Sequence, residues 1–423
     1  MPDHFLPAGF SRVHGELHVE SLPLKDLAER FGTPCYVYSK AAISASFGEF
    51  EEAFATLHPL ICYAVKANGN LSILSLLARL GAGFDIVSGG ELSRVLAAGG
   101  DPGKVVFSGV GKSAAEMAQA LRAGVLCFNV ESAAELERLS QVASALGLVA
   151  PVSLRVNPDV DPGTHPYIAT GLKNSKFGVA YVDALALYQR AARLPGIRVT
   201  GIDCHIGSQI TELPPFVAAL EKILALVDAL SNAGIPLHHL DLGGGVGIRY
   251  RDETPIVLKD YAREVASRLE GFGGRLLLEP GRRIIGNGGL LLTRVEYLKT
   301  SPEHRFAIVD AAMNDLIRPS LYEAWHEIVP VSTNTAPTAV MDVVGPVCET
   351  GDILGSAREL AVAEGSLLAI LSAGAYGASM GSNYNARPRP PEVLVDGNRA
   401  HLIRRRESIE DLYRAELPIS DLL

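Results

Sequence analysis

Between about residue 60 and residue 282 the chain alternates two kinds of segment. Short apolar, β-branched runs end in polar or glycine residues, and longer stretches follow in which apolar positions recur every three or four residues. The short runs are ICYAVKAN (61–68), FDIVS (84–88), VVFSG (105–109), LCFNV (126–130), VSLRVNP (152–158), GIDCHIGS (201–208), HLDLGGG (239–245) and RLLLEPGR (275–282). Between them, NLSILSLLARLGA, GELSRVLAAGG, SAAEMAQALRAG and SAAELERLSQVASALG have helical spacing, with Ser or Asn often at the N-cap position. Runs apolar on both faces, each followed by a helix, predict parallel strands joined by right-handed crossovers. Eight such units in roughly 220 residues match a closed (β/α)8 barrel of the TIM type, an α/β fold. A doubly wound sheet is the alternative, but its glycine loop follows the first strand, whereas GGGVG here follows the seventh run. The barrel is expected over residues 33–285.

Residues 286–423 have a different rhythm. GLLLTRVEYLKT, RFAIVDAAM, TAVMDVVGPV, LLAILSAGAYG and PPEVLVDGNRAHLIRR are β-rich and separated by turn-forming Asp, Gly, Pro and Asn. They predict a C-terminal all-β domain of sandwich or barrel type. GELHVE, in the segment 1–32, also reads as a strand and is expected to join it.

A length of 423 residues accommodates both domains, and 48% hydrophobic with 20% charged residues supplies a core and excludes a disordered chain. The net charge of -9, without a dense Lys/Arg stripe, argues against nucleic acid or an anionic membrane as partner. The five cysteines, Cys35, Cys62, Cys127, Cys204 and Cys348, are scattered and lack a C-x-x-C pair. Neither a disulfide framework nor a zinc site is expected, and a reducing cytoplasm is. MPDHFLPAGF has no basic region followed by an apolar run, so no secretory signal is expected, and no apolar stretch approaches the ~18 residues of a membrane span.

In such a barrel the loops at the C-terminal strand ends build the active site. The first run ends in Lys66, the sixth in His205 and Ser208, the seventh in Gly243, Gly244 and Gly245, and the eighth in Glu279 and Arg282. These groups are therefore expected at one mouth. Desolvation at a strand end would free the Lys66 amine for Schiff-base chemistry; the plainer reading is a rim lysine with its head in water. Three glycines let backbone N–H groups and a helix N-terminus approach an anion such as phosphate, or make only a tight turn. His205 is either a core histidine or a ring laid against a planar cofactor. Glu279 either pairs with an arginine or holds a heteroaromatic nitrogen protonated. Two other leads fail on spacing: SGVGKS has Val106 where a P-loop needs glycine, and His326-Glu327 is not followed by a second histidine.

YAVKAN, FDIVSGGEL, LRVNP, KFG (176–178), HIGSQ, GGGVG, LEPGR, RPSLYEAWH, GPVCETGD and AGAYG run in order over nearly the whole chain. Together they resemble the alanine racemase-like, fold type III enzymes that use pyridoxal 5'-phosphate, and within them the diaminopimelate decarboxylase family. The resemblance implies a Schiff base between Lys66 and the cofactor, His205 against its ring and Glu279 at the pyridine nitrogen. Ser208, Gly243, Gly244, Gly245, Pro280, Gly281, Arg282 and Tyr376 would hold the cofactor, mostly through its phosphate. Arg282, Arg318, Tyr322 and Tyr376 would meet the substrate, the first three gripping its distal carboxylate, with Glu349 at its distal amine. Cys348 would be the proton donor after carbon dioxide leaves. Arg155, Asp85 and Glu91 match positions near the cofactor. The resemblance also implies a homodimer whose active site is shared across the interface, no metal, and decarboxylation of meso-2,6-diaminopimelate to L-lysine as the last step of lysine synthesis. Thr350 and Ser366 depart from the usual serine and acid without touching these roles. A decarboxylase for another carboxylate-bearing amino acid, a racemase and an inactive homologue are the competing readings.

Overall fold

The computed structural model describes residues 5–161, 163, 176–333 and 336–419. The chain forms two compact units, one of residues Ser44–Ile284 and one of Met1–Ile43 together with Ile285–Leu423.

In the first unit the eight expected strands form at Leu60–Ala64, Gly83–Ile86, Val105–Phe107, Cys127–Val130, Ala150–Asn157, Ile197–Asp203, His239–Asp241 and Arg275–Leu278. Each pairs in parallel with the next, and the eighth closes on the first with Leu277 opposite Leu60 and Leu278 opposite Ile61. A short strand, Val179–Ala180, runs along the fifth. Leu60, Cys62, Val106, Cys127 and Leu277 pack together inside, which is why these runs are apolar on both faces: one faces the lumen and the other the helices. The N-cap signals hold. Asn70, Ser88, Ser113 and Ser132 each accept a backbone N–H of the first helical turn, and Ser113 with Glu116 forms a full capping box.

The second unit is built around the long strand Gly289–Thr300. Its first half pairs antiparallel with Cys35–Ser39 on one side and Leu367–Ile370 on the other, and its second half with Arg305–Val309. Cys35–Ser39 continues to the hairpin Glu392–Asp396 and Arg399–Arg404. The strand CYVYS moves the boundary expected at residue 33 to residue 44: all five of its residues are buried within the second unit. GELHVE lies in a separate three-stranded sheet, and Leu17 and Val19 pack with Val329, Leu371 and Val393 in one apolar core. The unit also contains the helix Leu24–Phe31, so it is not wholly β. Among the described residues no helix is long and apolar enough to cross a membrane.

Candidate active site

Lys66 sits in a single helical turn, Val65–Ala67, directly after the first barrel strand. Its Nζ lies 2.5 Å from Oδ2 of Asp85, a wholly buried residue in the second strand. The expected desolvation of this amine is not what the structure has: the Lys66 side chain keeps 37% exposure and finds a carboxylate. Asp85 thus holds and orients the Lys66 amine.

The glycine run is dictated by space. A Cβ on Gly244 would stand 2.2 Å from the carbonyl oxygen of Glu279, and one on Gly245 would stand 2.5 Å from that of Gly207. Glu279 N–H in turn donates to Gly243 O at 2.7 Å, so glycine turn and acid form one assembly. Gly243 N–H donates to Asp241 Oδ1 at 2.8 Å and Gly244 N–H to His205 Nδ1 at 3.1 Å. Two of the three amides are thus engaged inside the barrel, and the helix expected behind the run starts only at Leu258. The Gly244 contact requires an unprotonated Nδ1 on half-buried His205. Burial, with Arg155 and Lys66 nearby, pushes its pKa well below the usual range, so the ring is neutral.

Ser208 and Arg282 meet: Arg282 Nη2 donates to Ser208 Oγ at 3.0 Å and Nη1 to Tyr250 Oη at 2.6 Å. Pro280 O accepts from Ala64 N–H at 3.2 Å. A Cβ on Gly281 would touch the methyl groups of Ala64 and Ala67, so this segment packs on the Lys66 turn.

Deeper in the barrel is a layer of charge. Strand register sets Arg155 opposite Asp203 and Asp203 opposite Asp241. Carboxylate oxygens of Asp203, Asp241 and Glu279 come within 4.8 Å of one another. Arg155 Nε is 4.0 Å from Asp203 Oδ2, and its Nη1 is 3.3 Å from Glu131 Oε1. One shared guanidinium does not neutralise so many buried carboxylates. Burial first, then Asp241, Asp85 and Asp203, holds the Glu279 carboxyl well above its usual range, and Asp203 and Asp241 are raised likewise. Glu279 Oε1 is buried without a hydrogen-bond partner. This donor set also suits a hard cation, but Arg155 already brings positive charge into the layer.

The remaining predicted residues belong to the other unit. Arg318 and Tyr322 open and close a five-residue helix and share a face, the guanidinium carbon 5.8 Å from the ring centroid. Cys348 and Glu349 are exposed on a loop braced by Asp352, which accepts Val347 N–H at 2.8 Å and Met313 N–H at 2.6 Å. Cys348 N–H donates to Asn385 Oδ1 at 3.1 Å, and Tyr384 Oη donates to Glu349. Tyr376 is half-buried with a left-handed backbone, φ +55°.

Sequence reasoning missed Tyr250, Asp203 and Asp241, and it reached Asp85 only through the family resemblance. The only available signal was a carboxylate ending an apolar strand, as in GIDCH and HLDLGGG. The discarded GKS lysine is a structural pin: Lys112 Nζ donates to Glu135 (2.7 Å) and to the carbonyls of Asn129 (2.7 Å) and Gly109 (2.8 Å).

Residues 40–286 match the family described as pyridoxal-dependent decarboxylase, pyridoxal binding domain. A diaminopimelate decarboxylase of Pseudomonas aeruginosa is 60% identical over 407 residues, covering 96% of this chain and 98% of that protein. One from Neisseria meningitidis serogroup B is 60% identical over 401 residues, 95% of this chain and 97% of that protein. The crystal structure of diaminopimelate decarboxylase from Helicobacter pylori complexed with L-lysine superposes with a TM-score of 0.90 at 44% identity, covering 93% of this chain and 99% of that one.

Proposed function

The chain belongs to the diaminopimelate decarboxylases, pyridoxal phosphate-dependent enzymes, and we propose that it converts meso-2,6-diaminopimelate to L-lysine and carbon dioxide. What carries this reading is Glu279, a carboxyl group sealed in the barrel with Oε1 unpartnered, on the strand that closes against the Lys66 strand. A carboxyl held protonated by its surroundings could give that proton to a ring nitrogen and stay beside it as the carboxylate. The glycine turn, in which a Cβ would strike the Glu279 carbonyl, and the neutral His205 ring beside it fit a flat, anionic cofactor.

The bound cofactor supplies an electron sink for the bond to carbon dioxide. Lys66 would hold it covalently, and its amine, beside Asp85, would be placed to move a proton. Arg282, braced on Tyr250 and Ser208, would face the phosphate or the substrate carboxylate, with Gly245, Gly281 and Tyr376 completing the cofactor's enclosure. Diaminopimelate carries an amino acid head at each end, so one must be held without reacting. A planar guanidinium reads a carboxylate at two points and a carboxylate reads an ammonium, the roles assigned to Arg318, with Tyr322, and to Glu349. Cys348 would deliver the proton that replaces carbon dioxide.

Cys348 and Glu349 lie exposed on their loop, and a proton donor works best where water is excluded. A two-fold homodimer, each copy completing its partner's site with this loop, would provide that cover. The reaction would be the last step of lysine synthesis, in the cytoplasm. Incubation of purified protein with pyridoxal 5'-phosphate and meso-diaminopimelate should release lysine and carbon dioxide in equal amounts. Decarboxylation of another amino acid while diaminopimelate stays intact would overturn the assignment.

A further inference from the structure

His326 failed as part of a zinc motif, and no role has so far fallen to it. It is fully buried, directly after the RPSLYEAW segment. Its Nε2 lies 3.3 Å from Nε of Arg318, and its Nδ1 lies 2.9 Å from the carbonyl oxygen of Leu371. A carbonyl only accepts, so Nδ1 carries the proton. A guanidinium only donates, so Nε2 is bare. The two contacts together define one neutral tautomer and fix the ring plane. The backbone repeats the clamp, with Leu371 N–H donating to Glu327 O at 2.8 Å.

We infer that His326 is a positioning residue for substrate selection: its imidazole takes the Nε hydrogen of Arg318 and so fixes the guanidinium plane that reads the carboxylate that does not react. Arg318 is itself buried. A buried guanidinium lacking an acceptor at Nε would turn toward one elsewhere, and a carboxylate would then meet the wrong edge. The Tyr322 ring limits the same rotation from the other side, 5.8 Å from the guanidinium carbon. Leu371 lies five residues before Tyr376, so the imidazole also ties the arginine helix to the segment carrying that tyrosine. This inference rests on the proposed role of Arg318.

The test compares His326→Phe, which keeps a ring without an acceptor, with His326→Gln, which keeps an oxygen near the Nε2 position. Lysine retains the carboxylate that Arg318 would read, whereas 1,5-diaminopentane has none. In His326→Phe, KM for diaminopimelate and Ki for L-lysine should rise together by about tenfold or more, the scale of a hydrogen bond to a charged group. The value of kcat, the affinity for pyridoxal phosphate and inhibition by 1,5-diaminopentane should stay within about threefold, and His326→Gln should recover most of the loss. Unchanged KM and Ki would overturn the inference, as would a parallel loss of every parameter in both variants. Should His326→Phe not fold, nitrogen NMR of the wild-type imidazole decides: a protonated Nδ1 and a bare Nε2 that shifts in Arg318→Leu are expected, and any other tautomer contradicts the geometry. Failure of the wild type to produce lysine would refute the substrate assignment alone, because the NMR signature does not depend on it.

Discussion

A single methyl group at Gly244 probes the linkage between the glycine turn and Glu279. The Cβ of Gly244→Ala would lie 2.2 Å from the Glu279 carbonyl oxygen, and ordinary contact begins at 3.4 Å, so the two segments must part by about 1.2 Å. No flexible side chain is there to yield; the obstacle is backbone. Glu279 N–H is bound at 2.7 Å to Gly243 O, so the shift strains that bond and moves the carboxyl with it. Overpacking of this kind costs about 1–3 kcal/mol, and a displacement near 1 Å at a reacting centre costs about 100-fold in rate. Apoprotein should be titrated with pyridoxal phosphate by absorbance, with turnover and thermal midpoint measured alongside. Gly273→Ala, where a Cβ meets nothing within 4 Å, serves as the control. The expected result is weakened cofactor binding and a loss of kcat/KM of about two orders of magnitude in Gly244→Ala alone. Cofactor binding and turnover within twofold of wild type would refute the steric reasoning.

Three further outcomes follow from particular side chains. If Cys348 is the proton donor proposed above, Cys348→Ala should lower kcat by about 10²- to 10⁴-fold while the cofactor's absorbance band is retained; stopped-flow spectra and product assays check this. Arg318→Lys should raise KM for diaminopimelate by about tenfold or more, as a point charge cannot replace two-point recognition; steady-state kinetics read it. Burial, with a smaller contribution from His238, lowers the pKa of His239 to about 4 from an ordinary 6.5. The unfolded chain therefore binds this proton first, and stability should fall as pH drops from 6.5 toward 4, by up to about 3 kcal/mol from this group. Urea midpoints at pH 4 and pH 7 should diverge more for wild type than for His239→Gln; parallel behaviour would contradict the burial argument.

The barrel was legible because its logic is local: a run apolar on both faces and ending in a reactive residue announces a strand and its mouth together. Lys66, His205, Gly243–Gly245 and Glu279 each end such a run, and the structure sets their strands side by side. CYVYS was missed because it lies just ahead of the barrel in sequence yet completes a sheet whose neighbouring strands come about 250 and about 360 residues later. Asp203 and Asp241 read as ordinary polar strand ends, and only cross-strand register aligns them with Arg155. His326 carries no local signal either, since its partner Leu371 is 45 residues away. The Lys66–Asp85 pair lay between the two cases: Lys66 ends an apolar strand, but Asp85 lies inside the next one, and their contact depends on those strands being in register, Ala64 opposite Asp85.

The proposed function requires that the Lys66 amine and the Glu279 carboxyl address the same bound ring. Reduction of the pyridoxal phosphate-loaded protein with borohydride, followed by peptide mass mapping, tests it most directly. The expected result is a single reduced cofactor adduct on the peptide containing Lys66, absent in Lys66→Ala and diminished in Glu279→Ala. An adduct on another lysine, or none in a protein that still turns over, would contradict it.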